Sequence, residues 1–472
     1  MSRVTGRSGL VIVLVAGLVA AGCGSSRRST SPTTVSSSST TAASGSGSTP
    51  MFGTLASPCG KGSAAGATDQ GVTDTAIHIA YGDDRGYSAT PGLDEEMGDA
   101  VKGMIKWCND QGGINGRQVV GDFYDAAVLQ VNTVMQQACK VDFMLVGEGF
   151  AEDQSAEQTR VGCNLAQVPG FTNGADPAMG PMSYEPVPNP VDLLPMSILP
   201  EMAKLFPQGI SSLDFMHTNL ALATEYSITK IAAAAPTFGY HIDNCKVVLN
   251  YFGEPNYKPF AQKFQTCGAK MIWINAGEGA LQDNFIQAMN AIGDNPIYLG
   301  EANEYSPKLA AWNTSGDGNN IYVREAFQPL ENASEVPAVQ QYLDIVKADG
   351  GKVDQLGEQA TSAFLLWATA AKACGSTLTR QCMINGLSKV HTWTGGGLNA
   401  VADPGANTPP DCGVIMKLTG TAWSQFYPKT LGQFDCDPSY VFHVPESAWG
   451  TTLNAQRLST KFLGPNVILP QP

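Results

Sequence analysis

Gly71–Arg117 reads GVTDTAIHIAYGDDRGYSATPGLDEEMGDAVKGMIKWCNDQGGINGR, and its hydrophobic period changes along the way. Ile77, Ile79 and Tyr81 alternate with Ala76, His78 and Ala80, the period of two of a strand. A Gly-, Asp- and Ser-rich loop follows. Thr90-Pro91 then predicts a helix start, with Thr90 as N-cap, Pro91 at the first helical position, and Asp94 and Glu95 near the positive end of the helix dipole. Met97, Val101, Met104, Ile105 and Cys108 share one helical face. Gly112-Gly113 stops the helix, and Gln118-Val119-Val120 opens the next strand. Strand, helix and strand in this order make a βαβ unit, the start of a parallel sheet.

Two motifs flank this unit. Gly71-Val72-Thr73-Asp74-Thr75 precedes the first strand. Asn109-Asp110-Gln111-Gly112-Gly113-Ile114-Asn115-Gly116-Arg117 follows the first helix, its glycines, Ile and Asn-Gly at fixed offsets from that helix. On these motifs the chain resembles the opening of the type I periplasmic-binding proteins, specifically the branched-chain amino acid (Leu/Ile/Val) substrate-binding family of ABC transporters in its lipoprotein form. The resemblance extends over residues 70–430. It implies an α/β fold of two similar lobes, each with a mostly parallel sheet flanked by helices, joined by a multi-strand hinge.

At 472 residues the chain is long enough for two domains with separate cores. A formal charge of −14 with only 15% charged residues leaves no basic footprint for nucleic acid. Residues 1–22 read as a signal peptide: Arg3 and Arg7 precede the apolar run Leu10–Ala21, which is short for a membrane span. Leu18-Val19-Ala20-Ala21-Gly22-Cys23 resembles a bacterial lipobox, with Ala20 where Leu is more usual. That resemblance implies that Cys23 becomes the lipidated N-terminus. Residues 23–70 are expected to be a tether, because the Ser, Thr, Gly and Pro of 24–57 offer too little apolar surface to offset ordering.

Setting Cys23 aside leaves ten cysteines, an even number in an exported chain, which predicts disulfides. Sequence leaves their connectivity open; pairing neighbours gives Cys59–Cys108, Cys139–Cys163, Cys245–Cys267, Cys374–Cys382 and Cys412–Cys436. The five His stand without HExxH or Cys-His ligand spacing, so neither a metal nor a cofactor is expected.

The βα rhythm continues with strand 119–123, a helix turning Val131, Val134, Met135 and Ala138 inward, strand 143–146, a helix near Ala151 and strand 165–168. Residues 174–210, rich in Pro and Met, predict a crossover. A second series has strands at 213–216, 246–251, 270–274 and 297–299. Its helices are an Ala-rich one from about Ala223, one carrying Phe260 and Phe264, and one carrying Phe285, Ile286 and Met289. Helices are expected over 337–348, 355–374 and 377–387, and a late strand over 413–418. The lobes would then be 71–205 with 326–420, and 206–325 with 421–472, the last part including a C-terminal tail.

Open parallel sheets bind ligands at the carboxyl ends of their strands. In the receptors this chain resembles, first-lobe hydroxyls and N–H groups hold the ligand carboxylate, and a second-lobe acid holds the ammonium. The resemblance therefore marks Tyr87 after the first strand, Phe150 and Ala151 in the loop 147–153, and Gly170, Phe171 and Thr172 in the next. From the second lobe it marks Glu301 first, then Glu304 and Glu278. Phe150 or Ala151 stands where the family usually has Ser, and Glu148, Glu152 and Asp153 beside them would repel a carboxylate. Asn219-Leu220-Ala221-Leu222 lacks the family's Tyr. These departures bear on the ligand and leave the fold untouched.

The implied function is capture of a small polar or amino-acid-like ligand by hinge closure, outside the cytoplasmic membrane. A lipid-anchored monomer would deliver it to an ABC permease. A sensory receptor of the same fold, passing ligand occupancy to a signalling partner, is the alternative. Ser227-Ile228-Thr229-Lys230 matches the SxxK of Ser-dependent envelope enzymes, but neither SDN nor KTG accompanies it, and no enzymatic step is expected.

Overall fold

The computed structural model describes residues 50–219, 226–243, 245, 247–274 and 279–471. The signal peptide, Cys23 and Glu278 lie outside the described residues.

Four parallel strands form the first sheet, in the order Gln118–Asp125, Ala76–Asp83, Met144–Val146 and Gln167–Val168. Ile79 lies opposite both Gly121 and Met144 at its centre. Helix Glu95–Asp110 buries Met97, Val101, Met104 and Cys108, and helix Val131–Val141 buries Val131, Val134, Met135 and Ala138, as the spacing predicts. The first helix begins at Glu95 and not at Pro91. The Leu93 N–H donates to the Thr90 carbonyl at 3.1 Å and Gly92 takes φ +80°, so Thr90-Pro91-Gly92-Leu93 closes a β-turn before the helix starts.

The second sheet runs Leu213–Phe215, Met271–Trp273, Ile297–Gly300, Ile321–Glu325, Cys412–Thr419 and Ala422–Tyr427, parallel up to Ile321–Glu325 and antiparallel beyond it. Asp435–Cys436 pairs with the start of Cys412–Thr419. The late strand thus differs from the expectation that put 412–420 in the first lobe. Val414, Met416 and Leu418 pack into one face of the second sheet and Ile415 into the other, so alternation commits the strand to that sheet.

Pro337–Ala348, Gln355–Cys374 and Arg380–Leu387 cover the first sheet. Gln355–Cys374 is buried on nearly every side and packs on Glu95–Asp110, which suits its Ala-rich, almost uncharged sequence. Asp354 Oδ1 starts it by accepting the Gln355 N–H at 2.7 Å. Crossing segments lie side by side between the two bodies. The Ala400 N–H donates to the Ala326 carbonyl at 2.9 Å, the Gln328 N–H to the Leu398 carbonyl at 2.7 Å, and Leu193–Pro195 pairs with Val441–His443.

Both ends of the described chain depart from expectation. Met51–Phe52 pairs with Leu55–Ala56, and Phe52 is buried edge-on to Trp107, so the fold begins inside the segment read as tether. The apolar pair Phe52 and Leu55 and the Cys59–Cys108 bond supply what a tether lacks. The tail returns to the first body. Asp176 accepts from the Thr451 and Ser459 hydroxyls and the Lys461 ammonium at 2.6, 2.7 and 2.9 Å, and Arg457 pairs with Asp192 at 2.7 Å. Five disulfides join Cys59–Cys108, Cys139–Cys163, Cys245–Cys267, Cys374–Cys382 and Cys412–Cys436, the neighbour pairs. Among the described residues no helix is long and apolar enough to cross a membrane.

Candidate ligand-binding cleft

The loops at the carboxyl ends of the first sheet are stapled by buried carboxylates. Asp84 accepts the Val128 N–H at 2.6 Å and the Ala151 N–H at 2.7 Å, tying the ends of three neighbouring strands. Burial raises its pKa to about 6, the two N–H groups opposing the rise. Asp153 accepts the N–H groups of Asn173 and Gly174 at 2.9 and 2.8 Å, and burial pushes it up to about 7. Glu148 is buried too, and burial holds its pKa well above the usual carboxylate range.

A cavity of about 390 Å³ opens between the two bodies. One wall draws on residues within 87–96, 171–195 and 354–359, the other on Lys230, 251–253, 279–281 and 301–306, with Arg324, Ala326 and Phe327 at the crossing. Leu93, Phe171, Tyr251, Phe252 and Leu281 give it an apolar stretch. Its polar wall is a connected set. The Thr172 hydroxyl donates to Glu185 Oε2 at 2.9 Å, the Asn189 N–H donates to the same oxygen at 3.3 Å, and Asn189 Nδ2 donates to the Thr172 carbonyl at 3.1 Å. Lys230 Nζ lies 3.5 Å from Asn189 Oδ1. Arg324 donates to Glu301 Oε2 from Nη2 at 2.5 Å and from Nε at 3.2 Å. Burial pushes Glu185 up to about 8 against its two donors. Burial also draws Lys230 down to about 8, with Glu301 and Glu185 opposing.

Tyr87, Ala151, Phe171, Thr172 and Glu301 meet at this cavity, from loops distant in sequence. Phe150 does not. It is 3% exposed and packs with Ala80, Val131 and Leu145 on the outer face of the first sheet, because an aromatic ring beside that apolar layer is drawn inward. Gly170 sits behind the wall, its N–H donating to the Glu148 carbonyl at 2.8 Å. Glu304 is fully buried and accepts from Gln282 Nε2 at 2.5 Å, so it supports the loop and does not line the cavity. Lys230, Arg324, Glu185 and Asn189 escaped the sequence reading. Only the pair of charged residues, Arg324 and Glu325, that closes the strand after Ile321-Tyr322-Val323 could have drawn attention to Arg324. Lys230 belongs to the SxxK stretch; the Ser227 side chain is outside what the structure describes. The group Asp214, Cys245 and Cys267 could be taken for metal ligands, but both sulfurs are joined in a disulfide.

Residues 200–422 match the family model described as periplasmic binding protein. No curated protein sequence matches the chain. Among solved structures, the chain is similar to a fatty acid ABC transporter substrate-binding protein from Thermomonospora curvata: TM-score 0.62, 16% identity, 80% of this chain and 97% of that one. It is likewise similar to a leucine binding protein from Thermotoga maritima (0.61, 11%, 77% and 99%). A branched chain amino acid ABC transporter protein from Thermus thermophilus with bound valine gives 0.62, 11%, 78% and 98%. At these identities the likeness is one of fold.

Proposed function

We propose, from the premise that this chain belongs to the type I periplasmic binding proteins, that it captures a small solute between its two sheet bodies and hands it to an ABC permease. The observation that carries this reading is the cavity itself, enclosed by side chains of both bodies where the crossing segments join them. A solute touching both walls stabilises the closed arrangement by the difference between its contacts there and in an open one. We take the moving lobes as 71–205 with 326–411 and 206–325 with 412–436, following the two sheets. Tyr87, Ala151, Phe171, Thr172 and Glu301 are proposed as ligand contacts. Relatives named for leucine, valine and fatty acid share a ligand that has an acid group and an apolar body. Cys23 as lipid anchor and the residues after it as tether would hold a monomer at the outer face of the cytoplasmic membrane. The family's role is binding, and no chemical step is assigned to the cleft.

The test is a thermal-shift and calorimetric screen of residues 24–472, refolded to remove carried-over ligand, against amino acids, fatty acids, amides and sugars. A ligand at about a hundred times its dissociation constant should add roughly 2.7 kcal/mol. Ala302→Trp, which puts an indole into the cavity wall, should abolish that gain while the unliganded protein stays folded. Stabilisation unchanged by Ala302→Trp would show binding elsewhere and overturn the reading.

A further inference from the structure

We propose that the C-terminal segment 444–468 is a strap that ties the first body's cavity wall to the core of the second body and sets how far the cleft opens. The inference rests on the solute-capture reading, in which the two bodies swing about the crossing segments.

The strap is anchored at both ends. At its start, Val444 and Ala448 are buried in the cluster of Leu213, Phe215, Ile228 and Ile231 that belongs to the second body. At its end, Phe462, Val467 and Ile468 pack against the core of the first. Asn164 fastens this end twice: its Oδ1 accepts the Ile468 N–H and its Nδ2 donates to the Asn466 carbonyl, both at 3.1 Å. Between the anchors Trp449 touches both bodies. It packs against the second-body cluster and, with Leu453, against Ala175, Met179 and Val191 of the first. Its Nε1 donates to the Val444 carbonyl at 2.8 Å, which fixes the indole where the bodies meet.

The middle of the strap grips the wall. Thr172, Glu185, Val187 and Asn189 line the cavity, and the strap holds the chain just beyond each end of that stretch. Past Thr172, Asp176 takes the Thr451, Ser459 and Lys461 donors, and the Ser459 N–H donates to the Met179 carbonyl at 2.8 Å. Past Asn189, Asp192 takes Nε and Nη2 of Arg457 at 2.7 and 2.8 Å. Asp176 Oδ2 also accepts from Gln154 Nε2 at 2.5 Å, beside the Asp153 that holds the Asn173 and Gly174 N–H groups. A pull on the strap is therefore passed to the loops that shape the cleft.

A swing that opens the cleft carries Asp176 and Asp192 away from Val444 and Ala448. Once the slack between Ala448 and Arg457 is spent, further opening must draw Trp449 and Leu453 out of apolar contact or strip the buried Asp176 of its donors. Either loss opposes the motion.

The test lengthens the strap without loosening its anchors. Gly-Ser-Gly inserted after Gly450, an exposed residue at φ +72°, adds up to about 10 Å of reach. Nitroxides on keto side chains introduced at exposed Ser88 and Lys258, near the rims of the two walls, leave the disulfides intact and report the opening by pulsed EPR on residues 24–472. Without ligand, the insertion should move the long-distance edge of the distribution outward by several Å and at most by about 10 Å. Arg457→Gln combined with Lys461→Gln should move it the same way by less, because Asp176 keeps both hydroxyl donors. Trypsin cleavage at Arg457 and Lys461 should stay as slow in the insertion variant as in the parent, showing that the anchors hold. An unchanged distribution with the anchors still protected would overturn the proposal. Should the insertion expose the anchors to trypsin, the double Gln variant decides: a longer edge sustains the strap and an unchanged one refutes it. These distances need no ligand, so an unchanged distribution sinks the strap alone, whereas silence in the ligand screen sinks the capture reading.

Discussion

Replacing Arg117 tests how the motif that ends the opening helix holds the fold. Asn115 sits at φ +51° and Gly116 at φ +91°, and this left-handed turn delivers Arg117 inward until it is 1% exposed. Its guanidinium donates to three carbonyls: Thr73 from Nε at 2.9 Å, Gly375 from Nη1 at 2.9 Å and Gly66 from Nη2 at 3.0 Å. One side chain thus joins the N-terminal segment, the approach to the first strand and the end of Gln355–Cys374. No carboxylate pairs with it among the described residues, and burial lowers its pKa, Asp74 opposing. Each charged hydrogen bond contributes about 1.5 kcal/mol net, so Arg117→Met should cost on the order of 3–4 kcal/mol once the apolar chain of Met recovers some packing. With an unfolding entropy near 2.1 cal/mol/K per residue over a body of about 420 residues, that lowers Tm by about 4 °C. Arg117→Lys, a single ammonium that cannot span three carbonyls, should recover no more than about a third of the loss. Urea unfolding with disulfides intact measures both. A loss below about 1 kcal/mol for Arg117→Met would refute the argument.

Replacing Cys59 and Cys108 with Ser opens a link of sequence separation 49 and should cost roughly 4 kcal/mol by loop entropy, with residues 50–58 the first cut in limited proteolysis. Gly113→Ala sets a Cβ 2.0 Å from the Arg117 carbonyl at φ +74° and should cost at least ~2 kcal/mol in the same urea titration. At Asp176, burial would raise the pKa, but the Thr451, Ser459, Lys461 and Gln154 donors outweigh it and hold the pKa below its ordinary value. That contribution is complete above about pH 4 and lost as pH falls through the folded pKa, so Asp176→Ala should free the C-terminal tail to protease at pH 7, with an effect that shrinks as pH is lowered below 4. Asp142 and Glu185 work in the opposite sense: burial pushes both up to about 8, whereas the unfolded chain ionises them near 4. Their stabilisation is whole below about pH 4 and declines as pH rises to 8, so the urea midpoint should be higher at pH 5 than at pH 8, and a flat profile would count against it.

The parts of the fold legible in sequence are those where period and length agree. Pro337–Ala348 and Gln355–Cys374 fall where their apolar spacing puts them, with proline or a capping Asp at the start. Thr90-Pro91 misled because Pro suits the first turn of a helix and the second position of a β-turn equally well; Gly92 at φ +80° decides for the turn. Strand Cys412–Thr419 was legible as a strand, while its sheet was not, since pairing partners lie about ninety residues away, as between Tyr322 and Lys417. In the cleft, strand-end position brings Phe171 and Thr172 to the cavity wall. Phe150 failed because position along a loop does not say which way a ring turns, and the apolar layer of Ala80 and Val131 claims it. Lys230 and Arg324 were hidden for a different reason. Neither belongs to a strand-end loop of its own element, and only the fold brings buried Lys230 and half-buried Arg324 to the same cavity.

By sequence the acidic loop of the first body is a face that repels a carboxylate, but its folded chemistry differs. Asp84 and Asp153 turn inward and spend themselves on the backbone N–H groups of Val128, Ala151, Asn173 and Gly174. Those are among the donors a first-lobe carboxylate site would need. The same bonds fix three strand ends into one rigid platform, so this wall contributes shape and little charge. A solute that rests its apolar part on Leu93 and Phe171 of the first body and on Tyr251 and Phe252 of the second gains both sets of contacts together only when the cleft is closed. Shortening that apolar part should therefore weaken closure more steeply than the lost surface alone implies, since a short solute can cover one wall without bringing the other to it.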